Sequence, residues 1–156
     1  MSEIDLSLVG TLSEPFEVDI EKSEIRKFAE AIGDANPLYR DEAYARSKGY
    51  ASLLAPPTYP TCFRPPVEPV WLRSLDRRRI VAGQMSFEYF KPITAGMRLT
   101  CRLRFMGVED KVGARGRMQL LNNQLQGHDE AGALVFVAGR STVYRSLEQV
   151  EQRSLA

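Results

Sequence analysis

The second half of the chain contains four strand patterns in direct succession, and this order limits the fold more than any other feature. From Leu99 to Phe105 apolar and polar residues alternate without a break, which is the period of a strand with one buried face. Similar patterns cover residues 80–90, 115–126 and 133–144, and a polar turn at residues 128–132 joins the last two. Consecutive strands joined by short turns favour an antiparallel sheet.

One short strand and one helix precede these strands. Residues 16–20 alternate apolar and acidic side chains, which predicts a strand. Apolar residues at helical spacing then predict a helix over residues 24–32, with Ser23 as its N-terminal cap and Gly33 ending it. We therefore expect an α+β fold, in which helix covers one face of an antiparallel sheet.

The following segment predicts a second helix and then limits any third one. Asn36 is a good N-cap and Pro37 suits the first helical position, so we expect a helix over residues 37–47 that ends at Gly49. Residues 55–69 contain six prolines, at positions 56, 57, 60, 65, 66 and 69. Because proline interrupts helical hydrogen bonding, a helix in this region must be broken or start late, at residues 70–75.

Charge, cysteine and histidine content exclude several classes of protein. Lys+Arg number 21 and Asp+Glu 20, so the formal charge of +1 provides no basic field for nucleic acid. Cys62 and Cys101 lack CxxC spacing and His128 is the only histidine, so a Cys/His zinc site lacks ligands. A metal held by carboxylates alone stays open but has no motif, and we predict no metal. No run reaches the roughly 18 apolar residues of a membrane span. The first residues show neither the basic region nor the long apolar core of a signal peptide. We expect a soluble cytoplasmic protein, with residues 1–156 forming one domain.

Large apolar side chains in the second half predict the core. We expect Trp71, Phe87, Tyr89 and Phe105 in the core or at a subunit interface rather than in pocket walls. Both cysteines should be packing residues, since nothing nearby suggests an activated thiolate. These residues therefore carry no predicted chemistry.

Three motifs carry a resemblance to a known family. Residues 33–37 read Gly-Asp-Ala-Asn-Pro, residues 55–58 read Ala-Pro-Pro-Thr, and residues 91–99 read Lys-Pro-Ile-Thr-Ala-Gly-Met-Arg-Leu. Together they resemble the MaoC-like (R)-specific enoyl-CoA hydratases and 3-hydroxyacyl-thioester dehydratases, in particular their degenerate N-terminal-type domain. The resemblance covers residues 16–145. It implies the hot-dog fold, an antiparallel sheet wrapped around a central helix, and it places the proline-rich segment where that helix should start.

The resemblance also assigns roles in hydration chemistry. Adding water to an enoyl thioester requires a base for the water, a proton donor for the α-carbon and donors for the developing oxyanion. In active members an Asp and a His five positions later hold the water. Asp34 and Asn36 match the family's Asp and Asn, but Tyr39 stands where the His should be. A tyrosine with a pKa of about 10 is a poor base at pH 7, and we expect His128, in an exposed turn, not to replace the histidine.

Further residues are candidates for contact with an acyl thioester. The resemblance suggests Pro57, Thr58, Tyr59 and Gly83 for the acyl part, and Arg78 for coenzyme A phosphates or the acidic surface of an acyl carrier protein. Ordinary structural roles compete with these. Asp34 and Asn36 can cap the helix that follows, Tyr39 can pack its ring, and the arginines at 77–79 can form a solvated edge.

These observations favour a hot-dog subunit of an enoyl-thioester hydratase or 3-hydroxyacyl-thioester dehydratase, which acts on acyl-CoA or acyl-carrier-protein substrates and supports a catalytic partner. Pairing covers sheet edges, so this interpretation predicts a homodimer or a heterodimer with a second hot-dog subunit. It predicts no cofactor beyond the coenzyme A or phosphopantetheine of the substrate, and no nucleic-acid or membrane partner. Two alternatives stay open: a non-catalytic homodimer that binds acyl thioesters, and a hot-dog thioesterase.

Overall fold

The computed structural model describes residues 4–114 and 116–146, which form one antiparallel sheet and two α-helices. The strands are β1 (Phe16–Asp19), β2 (Ile80–Tyr89), β3 (Arg98–Gly113), β4 (Gly116–His128) and β5 (Leu134–Arg145), and the helices are α1 (Lys22–Ala31) and α2 (Glu42–Ser47). The strand order across the sheet is β1-β3-β4-β5-β2, and every neighbouring pair is antiparallel. The expected α+β class and the four consecutive strands are therefore confirmed.

The core lies on one face of this sheet, and the alternation in β3 decides which face. The four apolar residues of the alternating stretch are between 0% and 4% exposed, whereas the polar residues between them are exposed. β4 adds Leu121 and Leu125, β5 adds Phe136 and Ala138, and the helix α1 contributes Ile25 and Ala29, all fully buried. The period of two in the strands and the helical spacing in α1 thus converge on one apolar core.

Helix α1 begins earlier than predicted, and its cap was predicted wrongly. The helix starts at Lys22 after Glu21, which provides no side-chain cap, and Ser23 lies inside the first turn. The reason lies in the preceding residue. Ile20 exchanges main-chain hydrogen bonds with Met97 and Gly96, so the sheet contacts end at Ile20 and the chain turns into the helix directly after it. Gly33 has a φ of +71° just after the helix, which confirms the predicted end.

The predicted helix over residues 37–47 is two separate pieces. Pro37–Tyr39 forms a single 3₁₀ turn capped by Asn36 as expected, and α2 starts only after Asp41. The side chain of Asp41 accepts a hydrogen bond from the Tyr44 main-chain N–H, which starts a new helix and competes with continuation of the first one. Gly49 follows α2 with a φ of +92°, as predicted for a helix end.

The proline-rich segment contains only short 3₁₀ turns. They cover Tyr59–Cys62, Val70–Leu72 and Arg77–Arg79, so the helix expected at residues 70–75 is reduced to one turn. The place where the resemblance puts the long central helix is therefore filled by irregular chain. This outcome follows from the prolines, which supply no main-chain N–H donors.

Side chains fasten this irregular segment to the sheet. Trp71 is 2% exposed, its Nε1 donates to Asn123 Oδ1 at 2.9 Å, and its ring stacks on Phe105 with centroids 5.7 Å apart. Arg140 of β5 donates to the main-chain oxygens of Pro60 and Phe63 at 2.6 and 2.8 Å. These bonds replace the regular hydrogen bonding that a helix would provide. Trp71 and Phe105 are thereby confirmed as core residues.

The two outer strands of the sheet differ in how their edges are covered. Beside β3, the segment before β1 continues the pairing, because Gly10 and Ser13 donate main-chain hydrogen bonds to Phe105 and Leu103. At the other end of the sheet, β2 pairs with β5 alone in the described part of the chain. None of its ten residues is buried, seven are exposed, and no described strand lies beyond this long edge. Unpaired edges of this length are usually covered by another chain.

The sequence predicted His128 in an exposed turn, and this prediction is wrong. His128 is the last residue of β4, where it pairs with Thr100 of β3 and Leu134 of β5, and it is half-buried. The turn consists of residues 129–132, which Asp129 organises by accepting hydrogen bonds from Ala131 and Ala133 N–H. Within residues 4–114 and 116–146, no helix is long and apolar enough to cross a membrane.

Candidate functional site

Two consecutive side-chain caps hold the loop after α1. Asp34 Oδ1 accepts a hydrogen bond from Asn36 N–H at 3.0 Å, and Asn36 Oδ1 accepts one from Leu38 N–H at 3.0 Å. The main-chain N–H of Asp34 donates to Ala29 at 2.9 Å, which fixes the loop to the end of the helix. Asp34 and Asn36 therefore have the structural roles that compete with catalysis, and one carboxylate oxygen of Asp34 is already occupied.

Tyr39 lies directly under this loop and is 6% exposed. Burial raises the pKa of its phenol above 10.0, and the negative charge of Asp34 raises it further, while a hydrogen bond with the Asn36 side chain offsets part of this effect. The phenol is therefore neutral at pH 7, so it can donate a hydrogen bond but cannot accept a proton as a base would. The structure thus places Asp34, Asn36 and Tyr39 together, as predicted, without an imidazole.

Two arginines border the same loop. Arg40 donates to the main-chain oxygen of Asp34 at 3.1 Å, and Arg26 of α1 donates to the main-chain oxygen of Arg40 at 3.2 Å. Both side chains are exposed. Their hydrogen bonds to main-chain oxygens bind the loop to the helix.

An apolar groove of about 340 Å³ adjoins this loop. Its walls are Tyr50, Leu54, Ala55, Pro57, Tyr89 and Ile93, together with residues 90–92. The N–H of Leu54, a wall residue, donates to the oxygen of Leu38 at 3.0 Å, so this wall is bonded to the residue that precedes Tyr39. Lys91 is the one charged side chain in the lining, and it pairs with Asp129 at 2.7 Å. We refer to this cavity as the apolar groove.

Tyr89 forms part of the groove wall, although the sequence favoured the core or a subunit interface. It is 37% exposed, its hydroxyl donates to the Pro57 main-chain oxygen at 2.5 Å, and its ring lies 6.3 Å from that of Phe136. Burial of the hydroxyl raises the pKa of Tyr89 well above 10.0. The reason for the difference is position: Tyr89 ends β2, where the strand leaves the core and meets the proline-rich loop.

Of the residues predicted from the Ala-Pro-Pro-Thr motif, only Pro57 lines the groove. Thr58 is exposed. Tyr59 is 5% exposed and packs edge-on between Phe28 and Phe63, with ring centroids 5.3 Å away in both cases. Burial raises the pKa of Tyr59 to about 12. A role for Thr58 or Tyr59 in substrate binding stays a prediction.

Gly83 and Arg78 both make local structural contacts, Gly83 with β5 and Arg78 with Asp76. A side chain at position 83 would meet the Ser141 main-chain oxygen at 2.5 Å, so close packing of β2 on β5 requires glycine there. Arg78 is exposed and donates hydrogen bonds from Nε and Nη2 to the Asp76 carboxylate. These bonds lower the pKa of Asp76 to about 2. Within the described chain, neither residue has a hydrogen bond or ion pair to the Asp34 loop. Their predicted contacts with substrate therefore remain untested.

A second cavity, of about 400 Å³, lies away from the motifs. Arg79, Asp110 and Arg117 give it a polar lining. It adjoins the start of β2, whereas the apolar groove adjoins the end, and ten strand residues separate these positions by about 30 Å. Among the described residues, no group of three or more His, Cys, Asp or Glu side chains is arranged as metal ligands would be.

Sequence reasoning missed most of the groove. The lining comes from two segments, residues 50–57 and 89–93, and only tertiary structure brings them together. The available signals were the Ala-Pro-Pro-Thr motif, which contains Pro57, and the Lys-Pro-Ile-Thr motif, which contains Ile93. The chemistry that the site supports is therefore limited: a carboxylate beside a neutral phenol, next to an apolar cavity of a size that suits a small ligand.

Comparison with known proteins gives a consistent result. The sequence model of one family, described as "FAS1-like, dehydratase domain region", matches residues 7–138. A UPF0336 protein of Streptomyces avermitilis is 37% identical over 94% of this chain and 98% of its own length.

Solved structures extend this result to the fold. The HadBC (3R-hydroxyacyl-ACP dehydratase) complex of Mycobacterium tuberculosis contains a chain with a TM-score of 0.74 and 25% identity, covering 87% of this chain and 96% of that one. A MaoC-like dehydratase has a TM-score of 0.75 at 20% identity and covers 91% of this chain, which spans only 43% of that longer protein. The predicted hot-dog fold and the MaoC-like resemblance are thereby confirmed.

Proposed function

Because the chain belongs to the family of FAS1-like dehydratase domain regions, we propose that it is a subunit of an enoyl-thioester hydratase or 3-hydroxyacyl-thioester dehydratase that lacks its own base. The observation that carries this proposal is the buried, neutral phenol of Tyr39 at the position of the family's histidine. A base for water must have a pKa near the working pH, which a tyrosine with a raised pKa does not have. A partner subunit supplies the Asp and His pair.

The state of Asp34 supports the same conclusion. One of its oxygens accepts the Asn36 N–H, so the carboxylate is engaged in holding the loop. His128 offers no replacement, because it ends β4 and pairs with Thr100 and Leu134 rather than with the Asp34 loop. Half of an acid–base pair without the other half gives little catalysis.

The partner in this proposal is a second hot-dog subunit, and the edge of β2 is where we place it. Strand β2 is ten residues long, is largely exposed and has no described neighbour on its outer side. Exposed Val81 and Phe90 add apolar surface along it. A second chain that pairs there would cover both the edge and this surface. The related HadBC protein is itself a complex, which supports the choice.

The substrate in this proposal is an acyl thioester whose chain occupies the apolar groove. The groove is lined mainly by apolar side chains, and its wall residue Leu54 is hydrogen-bonded to Leu38, the residue before Tyr39. Coenzyme A or the phosphopantetheine of a carrier protein would be part of the substrate, and no further cofactor is proposed. The free thiols of Cys62 and Cys101 fit a reducing compartment, the cytoplasm.

A titration tests this proposal. A hot-dog protein from the same organism that carries the Asp and His pair is held at fixed concentration, and the chain is added while hydration of crotonyl-CoA is followed. We expect the rate to rise and to level off at equal amounts of the two proteins. Replacing the partner's histidine by alanine should abolish the rate at every ratio. A rate that is independent of the added chain contradicts the supporting role.

A further inference from the structure

Tyr89 separates the apolar groove from an aromatic cluster in the core. Tyr89 lines the groove, and its ring centroid lies 6.3 Å from that of Phe136 in the core. Phe136 contacts Phe63 at 5.8 Å between centroids, and Phe63 contacts Tyr59 at 5.3 Å. A chain that extended from the groove into the core would have to displace the Tyr89 ring first.

The hydroxyl of Tyr89 fixes the ring in this position. It donates to the main-chain oxygen of Pro57, a residue 32 positions earlier that forms another part of the groove wall. The bond joins the end of β2 to the proline-rich loop. A phenylalanine would fill the same space without this connection, so the tyrosine does more than fill the wall.

The size of the groove makes this position important. Its volume of about 340 Å³ lies near the lower end of the roughly 300–1,000 Å³ that small-molecule sites occupy. A short acyl chain fits such a space, and a long one needs the space that the Tyr89 ring fills. The aromatic side chains behind Tyr89 would then give an apolar surface for the additional methylenes.

We propose that Tyr89, fastened to the Pro57 oxygen, limits the length of the acyl chain that the apolar groove accepts. This inference rests on the proposed function, because it takes the occupant of the groove to be an acyl chain. Tyr89 acts here as a specificity-determining residue and takes no part in proton transfer. Its substitution therefore changes which chains bind and leaves the Asp34 loop as it is.

The test compares the binding of S-alkyl-CoA thioethers with four, eight, twelve and sixteen carbons in the alkyl chain. Affinities are measured by titration calorimetry on the protein in its solution assembly. Moving one methylene from water into an apolar site increases affinity about fourfold. We therefore expect Tyr89→Ala to raise the ratio of hexadecyl to butyl affinity by about tenfold or more relative to wild type. Tyr89→Phe, which keeps the ring but loses its bond to Pro57, should raise this ratio by less.

Phe87→Ala provides the matched control. Phe87 lies two residues earlier on the same strand and on the same side as Tyr89, is partly buried, and does not line the groove. The Phe87→Ala variant should leave the ratio of hexadecyl to butyl affinity at its wild-type value. Circular dichroism checks that each variant is folded, which we expect for Tyr89 because 37% of this residue is exposed.

The possible failures are distinct. An unchanged ratio in folded Tyr89→Ala, or an equal rise in Phe87→Ala, overturns the role of Tyr89 and leaves the proposed function standing. If wild-type protein binds no thioether of any length, the proposed occupant of the groove is wrong, and the inference about Tyr89 is overturned with it.

Discussion

At the scale of single residues, the chemistry of this chain depends on position 39. Tyr39 stands where the resemblance places a catalytic histidine and lies close to Asp34, but its phenol is buried and neutral. The surrounding loop keeps its own caps, from Asp34 and Asn36. The site thus keeps the shape that the resemblance implies while lacking the group that would accept a proton.

Exchanging this residue tests whether only the base is missing. Tyr39→His should gain crotonyl-CoA hydration activity at least about tenfold above Tyr39→Phe, because a positioned general base contributes about 10²–10⁴-fold to such reactions. Tyr39→Phe should behave like the wild-type chain, since a neutral phenol supplies no base. The enoyl absorbance of the isolated, folded variants gives the measurement. Equal rates in the two variants would mean that the water site or the oxyanion donors are also absent.

A second residue-scale prediction concerns Asp76. The Arg78 side chain and main-chain N–H hold the pKa of Asp76 at about 2, below its usual 3.8, so the carboxylate stabilises the folded state at pH values above 3.8. This contribution is lost as the pH falls through 3.8 towards 2. Asp76→Asn keeps an oxygen for the cap and removes the charge. Urea unfolding should therefore show the variant less stable than wild type at pH 7.

The difference between the two proteins should shrink at pH 3, be small at pH 2 and vanish below it. Both side chains are at the surface, so the effect is small at high salt. A constant difference at all three pH values would show that the charge of Asp76 has no part in it.

At the scale of elements, side-chain hydrogen bonds to the sheet fix the proline-rich segment, whereas a helix would be held by its own main-chain hydrogen bonds. The bond from Trp71 to Asn123 joins the segment to β4 at a buried position, since Asn123 is 6% exposed. Arg140 adds two bonds from β5 to the turn around Pro60 and Phe63. The conformation of the segment therefore depends on its hydrogen bonds to β4 and β5.

Breaking this connection should be costly. Trp71→Phe keeps most of the ring packing on Phe105 and leaves Asn123 Oδ1 buried without its donor, which costs about 1–3 kcal/mol of unfolding free energy. Val112→Ala is a control, because Val112 is 78% exposed and a change there should cost less than about 0.5 kcal/mol. Urea unfolding measures both. A Trp71→Phe variant as stable as the control would show that the hydrogen bond contributes nothing.

The sequence predicted strands far better than helices, and the reason is physical. The alternation in β3 indicates a strand of a sheet with one buried face. This pattern extends over the whole stretch, so it predicts the strand even where the exact end residues are uncertain. The helix over residues 37–47 failed because Asp41 caps a second helix, a local competition that apolar spacing does not reveal. The Ser23 cap failed because the helix start was set by the pairing of Ile20 with residues 96 and 97.

The site was predictable only where one segment carries it. Asp34, Asn36 and Tyr39 lie within six residues, so their spacing alone brings them together. The apolar groove is different, because Tyr50 and Ile93 meet through the tertiary fold. The position of Tyr89 in its wall could not be predicted, since a strand pattern assigns a residue to a face and not to the end of a cavity.

At the scale of the whole molecule, the two edges of the sheet differ. The segment before β1 covers the edge of β3, whereas β2 is long and exposed. In the proposed assembly, the second subunit pairs with this edge and brings its catalytic residues to the apolar groove, which adjoins the end of β2. Assembly and activity should therefore depend on the same strand.

Gln84→Pro tests the edge. Residues 83 and 84 lie at an irregularity where β2 and β5 are out of register, so a proline there removes no pair from the β2–β5 ladder. Proline on an edge strand hinders the approach of a further strand. Mixed with the catalytic subunit, Gln84→Pro should fail to form the complex, whereas Gln84→Ala should form a complex of the wild-type mass. If folded Gln84→Pro assembles like wild type, the contact lies elsewhere.

The measurement that tests the central claim most directly is the hydration of crotonyl-CoA by the purified wild-type chain alone. The enoyl absorbance is followed while the mass of the same sample is determined by light scattering. We predict a folded protein with no turnover above the rate without enzyme, because Tyr39 cannot act as the base. Turnover at ordinary enzyme rates, which are about 1–10³ per second, would contradict the claim that this subunit needs a catalytic partner.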